Sequence, residues 1–178
     1  MIIIARKVEV VPFCEQWATM FAKEAEKLKQ VFGKECLRID HIGSTAIPEM
    51  SAKPIIDILL EVHHIDHVDQ YHKAMAELGY QAMGENGIPQ RRFFQKGGDE
   101  RTHHVHVFPA GSEHIVRHIA LKEYMIAHPE EAKAYSRLKI ALAKRFPNDI
   151  QAYIKGKEAF VRETEKKALA WYRQKQRR

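Results

Sequence analysis

The sequence predicts an α+β fold: a mixed β-sheet with flanking helices and a helical C-terminal portion. Three observations carry this reading. Ile55–Val62 is a near-continuous apolar run, the pattern of a strand covered on both faces. Arg91–Gln95 and Thr102–Phe108 read as two strands joined through the turn KGGDE, and so as a hairpin. After Pro109 strand-like alternation stops, and apolar residues recur at helical spacing.

Each element has its own signal. Residues 15–32 predict an amphipathic helix, because Trp17, Phe21, Leu28 and Val31–Phe32 recur near the helical period and Gly33 suits its end. Leu37–Ile42 predicts a strand, followed by GSTAIPEMSAKP, a loop with two prolines. Residues 65–78 predict a helix with Asp66 and Asp69 in its first turn and Gly79 after its end. Residues 80–83 read as a short strand. Three helices then follow at 112–127, 129–146 and 155–176, the second stopped by Pro147. One domain over 1–178 is expected, with a core at about 13–110 and the helical portion at about 111–178.

Composition narrows the function classes. With 178 residues, 45% apolar and 29% charged, the chain has the profile of a folded domain rather than a disordered one. No apolar run approaches the ~20 residues needed to cross a bilayer, and a cytoplasmic protein with no membrane partner is expected. Cys14 and Cys36 are too few for a disulfide framework or a four-cysteine zinc site, and read as reduced, buried thiols. The net charge of +6 is local: residues 155–178 hold nine basic and three acidic side chains, and the preceding 154 balance. A basic last helix is compatible with RNA, but no aromatic residues interleave on its basic side, so nucleic acid is not the expected partner. Oligomeric state is not legible.

The chemistry concentrates in two stretches. In the first, Gly43–Ser44 follows a strand, and after twelve intervening residues comes Asp57 in the apolar run. A Gly-Ser turn lets backbone N–H groups and a hydroxyl approach an anion. Lys53 supplies a point charge for phosphate. On the strand, Asp57, Leu59 and Glu61 share one face and Ile56, Ile58, Leu60 and Val62 the other. A carboxylate in such a run needs a partner, a metal ion or the mouth of a cleft. In the second stretch, RTHHVHV, His104 and His106 point the same way from a strand, a plausible metal or phosphate site. Arg91, Arg92 and Arg101 flank the hairpin and could grip phosphate oxygens. Structural roles account for the same residues too: Gly43 as a tight turn, Ser44 as a helix cap, Asp57 as a partner of Arg92 or Arg101, and the two histidines as inert hydrogen-bonded groups. The HHIDH run at 63–67 looks like a metal tract, but its spacing follows a strand end into a helix start, so it reads as an exposed cap.

HIGSTAIPEMSAKPIIDILLEV, with RTHHVHVF downstream, closely resembles the GrpB family, from about Phe13 to the last helix. The resemblance implies the nucleotidyltransferase superfamily and its polymerase-β-like fold. It also implies a link to adenine-nucleotide or CoA chemistry, because the family's domain occurs fused to dephospho-CoA kinase. The superfamily pattern is a Gly-Ser turn, two carboxylates one residue apart on a strand, and a third on a neighbouring strand, together holding two Mg²⁺ ions. Gly43 and Ser44 match the turn and Asp57 the first carboxylate. Leu59 occupies the second position, and the third falls in the His104–His106 strand, where no carboxylate stands.

The resulting expectation is a nucleotide or other phosphorylated small molecule bound at Gly43, Ser44, Lys53, Arg92 and Arg101. Asp57 is the candidate catalytic residue. Asp57, His104 and His106 would hold a divalent metal (Mg²⁺, Mn²⁺ or Zn²⁺), and the mixed nitrogen and oxygen set favours Mn²⁺ or Zn²⁺. Two alternatives stand beside a metal-dependent nucleotidyl transfer: a catalytically inactive binding or regulatory module, motivated by Leu59, and RNA binding through the last helix.

Overall fold

A computed structural model describes residues 6–178. The elements in chain order are α1 (Gln16–Phe32), β1 (Cys36–Ile42), β2 (Ile56–Val62), a 3-10 helix (Ile65–Tyr71) running into α2 (His72–Glu77), and β3 (Tyr80–Ala82). Then come β4 (Arg92–Lys96), β5 (His103–Pro109), α3 (Glu113–Ala127), α4 (Pro129–Arg145) and α5 (Ile150–Gln176). The five strands form one sheet in the order β1-β2-β5-β4-β3. β2 and β5 run parallel at its centre, and the other three pairings are antiparallel. The sheet is therefore mixed, and β4–β5 is the expected hairpin.

Side-chain alternation on the central strands sorts the molecule into layers. Ile56, Ile58, Leu60, Val62, Val105 and Val107 face α1 and the 3-10 helix, packing with Trp17, Leu28, Phe32, Ile65, Val68 and Met75. The opposite face carries Leu59, Phe108 and Ile42, covered by Ile115 and Ile119 of α3. Because β2 is buried from both sides, it reads as a continuous apolar run with one acid in it.

Two expected helices come out differently. Residues 65–71 wind as a 3-10 helix and only His72–Glu77 is α-helical. Ile65, Val68 and Tyr71 recur at intervals of three, and a helix of three residues per turn points all of them at the sheet. The last helix starts at Ile150 rather than 155, because Asp149 caps it by accepting from Ala152 N at 3.1 Å. The cysteines are free, but half-buried rather than fully buried. No helix among the described residues is long and apolar enough to cross a membrane.

Candidate functional site

The site grows from the register of three strands. Asp57 stands opposite Ile42 of β1 and opposite His104 of β5. His106 lies two residues along β5 and Phe93 of β4 stands opposite it. All of these share the face covered by the C-terminal helices. Asp57 lies near the start of β2, just beyond the apolar contact with α3, and its side chain keeps 28% exposure.

Asp57 is held by imidazoles, not by arginine. His106 Nε2 lies 3.0 Å from Asp57 Oδ1, and His104 Nδ1 lies 3.5 Å from the same oxygen. Arg91 NH1 points at His106 Nδ1 from 3.4 Å. Guanidinium can only donate, so His106 Nδ1 accepts and its Nε2–H donates to Asp57. Burial alone would raise the Asp57 carboxyl. The hydrogen bonds from His104 and His106 outweigh it and hold the carboxyl far below the usual range.

Gly43 closes the site from the β1 side. Its φ is +73°, and a Cβ there would lie 2.8 Å from Asp57 Oδ2. Only glycine meets both conditions without strain. Gly43→Ala is expected to cost about 1–3 kcal/mol in urea denaturation and to push the Asp57 carboxylate from its place.

Ser44 opens the turn that follows, and its Oγ accepts from Lys139 Nζ at 2.8 Å. That lysine comes from α4, ninety-five residues away. Ser44, Lys53, Asp57, His104, Lys139, Tyr153 and Lys157 line one hollow of about 280 Å³. Tyr153 is fully buried, with Lys53 Nζ 5.4 Å and Lys157 Nζ 5.2 Å from its ring centre. Two buried polar atoms on this lining, Tyr153 Oη and His104 Nε2, have no hydrogen-bond partner among the described residues. Such atoms are costly unless something meets them.

The lysines crowd one another. Burial, then Lys157 and Lys53, push the Lys139 ammonium down to about 7. Burial, then Lys157 and Arg6, push Lys53 down to about 8. Burial likewise lowers Lys157, against the pull of Asp57. Three lysines face one carboxylate that two histidines already engage, so an anion in the hollow would draw protons onto them.

The expected residues divide accordingly. Gly43, Ser44, Lys53, Asp57 and His104 meet at the hollow, and His106 backs Asp57. Arg101 lines an adjoining cavity of about 430 Å³ that shares Lys53 and Ile55 with it. Arg92 is elsewhere: it alternates to the α1 face, where its Nε lies 2.9 Å from Asp69 Oδ1. Sequence reasoning missed Lys139, Tyr153 and Lys157. One signal was available, since Lys139 falls in the buried stripe Tyr135–Lys139–Leu142 of α4, where an apolar residue is the norm.

The donor set does not suit two Mg²⁺ ions. Leu59, at the second carboxylate position, is fully buried against Phe108 and Ile115, and the neighbouring strand offers imidazole nitrogen. With His106 Nδ1 accepting from Arg91 and its Nε2–H donating to Asp57, both nitrogens of that ring are engaged, which leaves Asp57 and His104 as donors.

Comparison with known proteins follows the same lines. The GrpB protein family matches residues 7–167. The chain belongs to the GrpB family. UPF0157 protein YqkA of Bacillus subtilis is 49% identical over 166 residues, covering 93% of this chain. This chain spans 48% of that relative's length. The crystal structure of conserved protein GrpB from Enterococcus faecalis superposes with a TM-score of 0.90 at 40% identity, covering 92% of this chain and 99% of that one. Cid1 in complex with its short product ApU superposes with a TM-score of 0.52 at 11% identity, over 76% of this chain and 43% of that one. That likeness concerns the fold, which is nucleotidyltransferase-like. Dephospho-CoA kinase of Mycolicibacterium paratuberculosis is 24% identical over 189 residues, 92% of this chain and 46% of that protein.

Proposed function

We propose that this GrpB domain binds a nucleotide or another phosphorylated small molecule, with its phosphoryl groups in the lysine-lined hollow. One observation carries the reading: Lys53, Lys139 and Lys157 converge with Ser44 on one hollow. In this reading the Gly43–Ser44 turn and the lysines hold phosphate, and Arg101 neutralises the part of the ligand that reaches the adjoining cavity. Asp57 and His104, with His106 once it gives up its Nε2 proton, would hold one divalent ion, Mn²⁺ or Zn²⁺ in preference to Mg²⁺, and that ion would supply positive charge to the phosphoryl groups. The likeness to dephospho-CoA kinase supports including dephospho-CoA among the ligands tried.

Nucleotidyl transfer is the second reading, favoured by the position of Asp57 against the Gly43–Ser44 turn. The buried Leu59 favours binding without transfer. Product analysis with a panel of nucleotides and acceptors separates the two.

Calorimetric titration with ATP, CTP and dephospho-CoA, with and without Mg²⁺, Mn²⁺ or Zn²⁺, tests the proposal. Binding should take up protons at pH 8, because a phosphoryl group raises the pKa of Lys139 and Lys53 from about 7 and about 8. Repeating the titration in buffers of different ionisation enthalpy should report roughly one proton per ligand. No heat with any ligand, or an Asp57→Asn protein identical to wild type in every arm, counts against the reading.

A further inference from the structure

At the far end of the sheet a second set of side chains has the arrangement of a metal site. Glu35, just before β1, and His64 and His67, just after β2, offer one ligand atom each, all within 4.8 Å of one another. The geometry points to a transition-metal clasp of the Zn²⁺ class at Glu35, His64 and His67, separate from the lysine-lined hollow.

The carboxylate is already built in. The Glu35 side chain is only 12% exposed, and its Oε1 accepts from His64 N at 2.6 Å. Glu35 O accepts from His63 N at 3.1 Å, so backbone and side chain both tie it to the end of β2. The two oxygens splay toward different rings. Oε2 lies 3.2 Å from His67 Nδ1 and Oε1 lies 3.9 Å from His64 Nδ1. Ligand atoms about 2.0–2.2 Å from a tetrahedral Zn²⁺ lie roughly 3.3 Å apart, so little movement closes the site. The 3-10 turn supplies the second half of the geometry. His67 N donates to His64 O at 3.1 Å, and this tight turn brings the two rings to 4.6 Å between centres.

The chemistry selects the ion. Two imidazoles and one carboxylate suit Zn²⁺, Ni²⁺ or Cu²⁺, whereas Mg²⁺ and Ca²⁺ prefer all-oxygen sets. The rings are 67% and 49% exposed, so water or an outside ligand can fill the fourth position. Asp57 and His64 are separated by roughly 20 Å of extended chain. An ion here would join the segment entering β1 to the segment leaving β2.

Zn²⁺ alone is the probe, titrated into the full chain at neutral pH by calorimetry and by thermal denaturation. The Asp57→Asn protein should bind one equivalent and melt at a higher temperature with Zn²⁺ present. In that background His64→Ala with His67→Ala should weaken binding on the order of tenfold or more and abolish the thermal shift. Glu35→Gln, which can still accept from His64 N, should weaken Zn²⁺ binding while leaving the metal-free melting point near its original value. Mg²⁺ at the same concentration should neither bind nor compete. Absence of Zn²⁺ binding, or an isotherm unchanged by the double histidine substitution, overturns the assignment. Neither result bears on the phosphate reading, because Glu35, His64 and His67 lie outside the hollow and no phosphorylated ligand is added.

Discussion

Lys139→Met should make the protein more stable and, on the proposed reading, weaken its binding of phosphorylated ligands. Lys139 is 2% exposed, and its ammonium is driven down to about 7 by burial and by Lys157 and Lys53. A group whose folded pKa lies below its unfolded value of 10.5 destabilises the fold as pH falls toward the folded pKa. At pH 7 this cost is roughly 4 kcal/mol, at 1.36 kcal/mol for each pKa unit. Methionine has a similar length and no charge to desolvate. It forfeits the 2.8 Å hydrogen bond to Ser44 Oγ and the contact of Nζ 4.3 Å from the Tyr135 ring centre. Those losses amount to about 2 kcal/mol. The expected balance is a gain of about 2 kcal/mol in urea or guanidinium denaturation at pH 7, and no gain at pH 10, where the charge cost has fallen to about 1 kcal/mol. Phosphate affinity should fall on the order of 10- to 100-fold, because a charge-assisted hydrogen bond is lost. A variant that loses stability, or keeps its affinity, would show that Lys139 belongs to the scaffold.

Acid should destabilise the protein well before its carboxylates titrate. His41 is 9% exposed, stacked on Phe21 with ring centres 4.9 Å apart, and its Nε2 lies 2.9 Å from Thr45 Oγ1. Burial, then Lys122, push its pKa from 6.5 down to about 4. Burial, then His106 and Arg117, push His118 in the same direction, to about 3. Between those values and 6.5 the unfolded chain binds protons that the folded chain refuses, so stability falls as pH falls. For His41 the loss is about 2 kcal/mol from pH 7 to pH 5, and His118 adds to it with the same sign. The carboxylate of Asp57 acts in a lower window. Its folded pKa is depressed, so its contribution is intact above its ordinary 3.8 and is lost only as pH drops further. Denaturation at pH 7.5, 6 and 5 checks this, with His41→Gln expected to flatten the slope by about one proton between pH 6.5 and 5. An unchanged slope in His41→Gln would mean that the ring titrates normally in the folded protein.

Much of the fold was legible because local pattern and burial agree along most of the chain. The apolar run at 55–62 had to be a strand buried on both faces, and the turns at 96–100 had to close a hairpin. Asp66, Asp69 and Gly79 mark a helix over 65–78 without fixing its kind, since they satisfy either one. Only the threefold spacing of Ile65, Val68 and Tyr71 separates the two. The candidate site was half legible. Gly43, Ser44, Lys53 and Asp57 lie on one strand–loop–strand stretch, and His104 comes from β5, which the sheet brings back beside β2. Arg92 was placed with them because a flanking arginine looks the same on either face until the hairpin register is known. One step of the pleat sends it to Asp69.

By itself the sequence determined the α+β class, the family, and the meeting of a Gly-Ser turn with a single strand-borne acid. It did so because strand alternation and tight turns act over a few residues. The tertiary structure alone decided the rest. It gave Asp57 two histidines in place of arginine, and it brought Lys139 and Lys157 from separate helices onto Ser44 and Tyr153. It also set Glu35 against His64 and His67. These contacts join residues up to ninety-five positions apart, and they arise from how helices and strand ends pack on the sheet. Charged groups are held at such places by burial and by one another's fields, and neither is written in the local order of the chain.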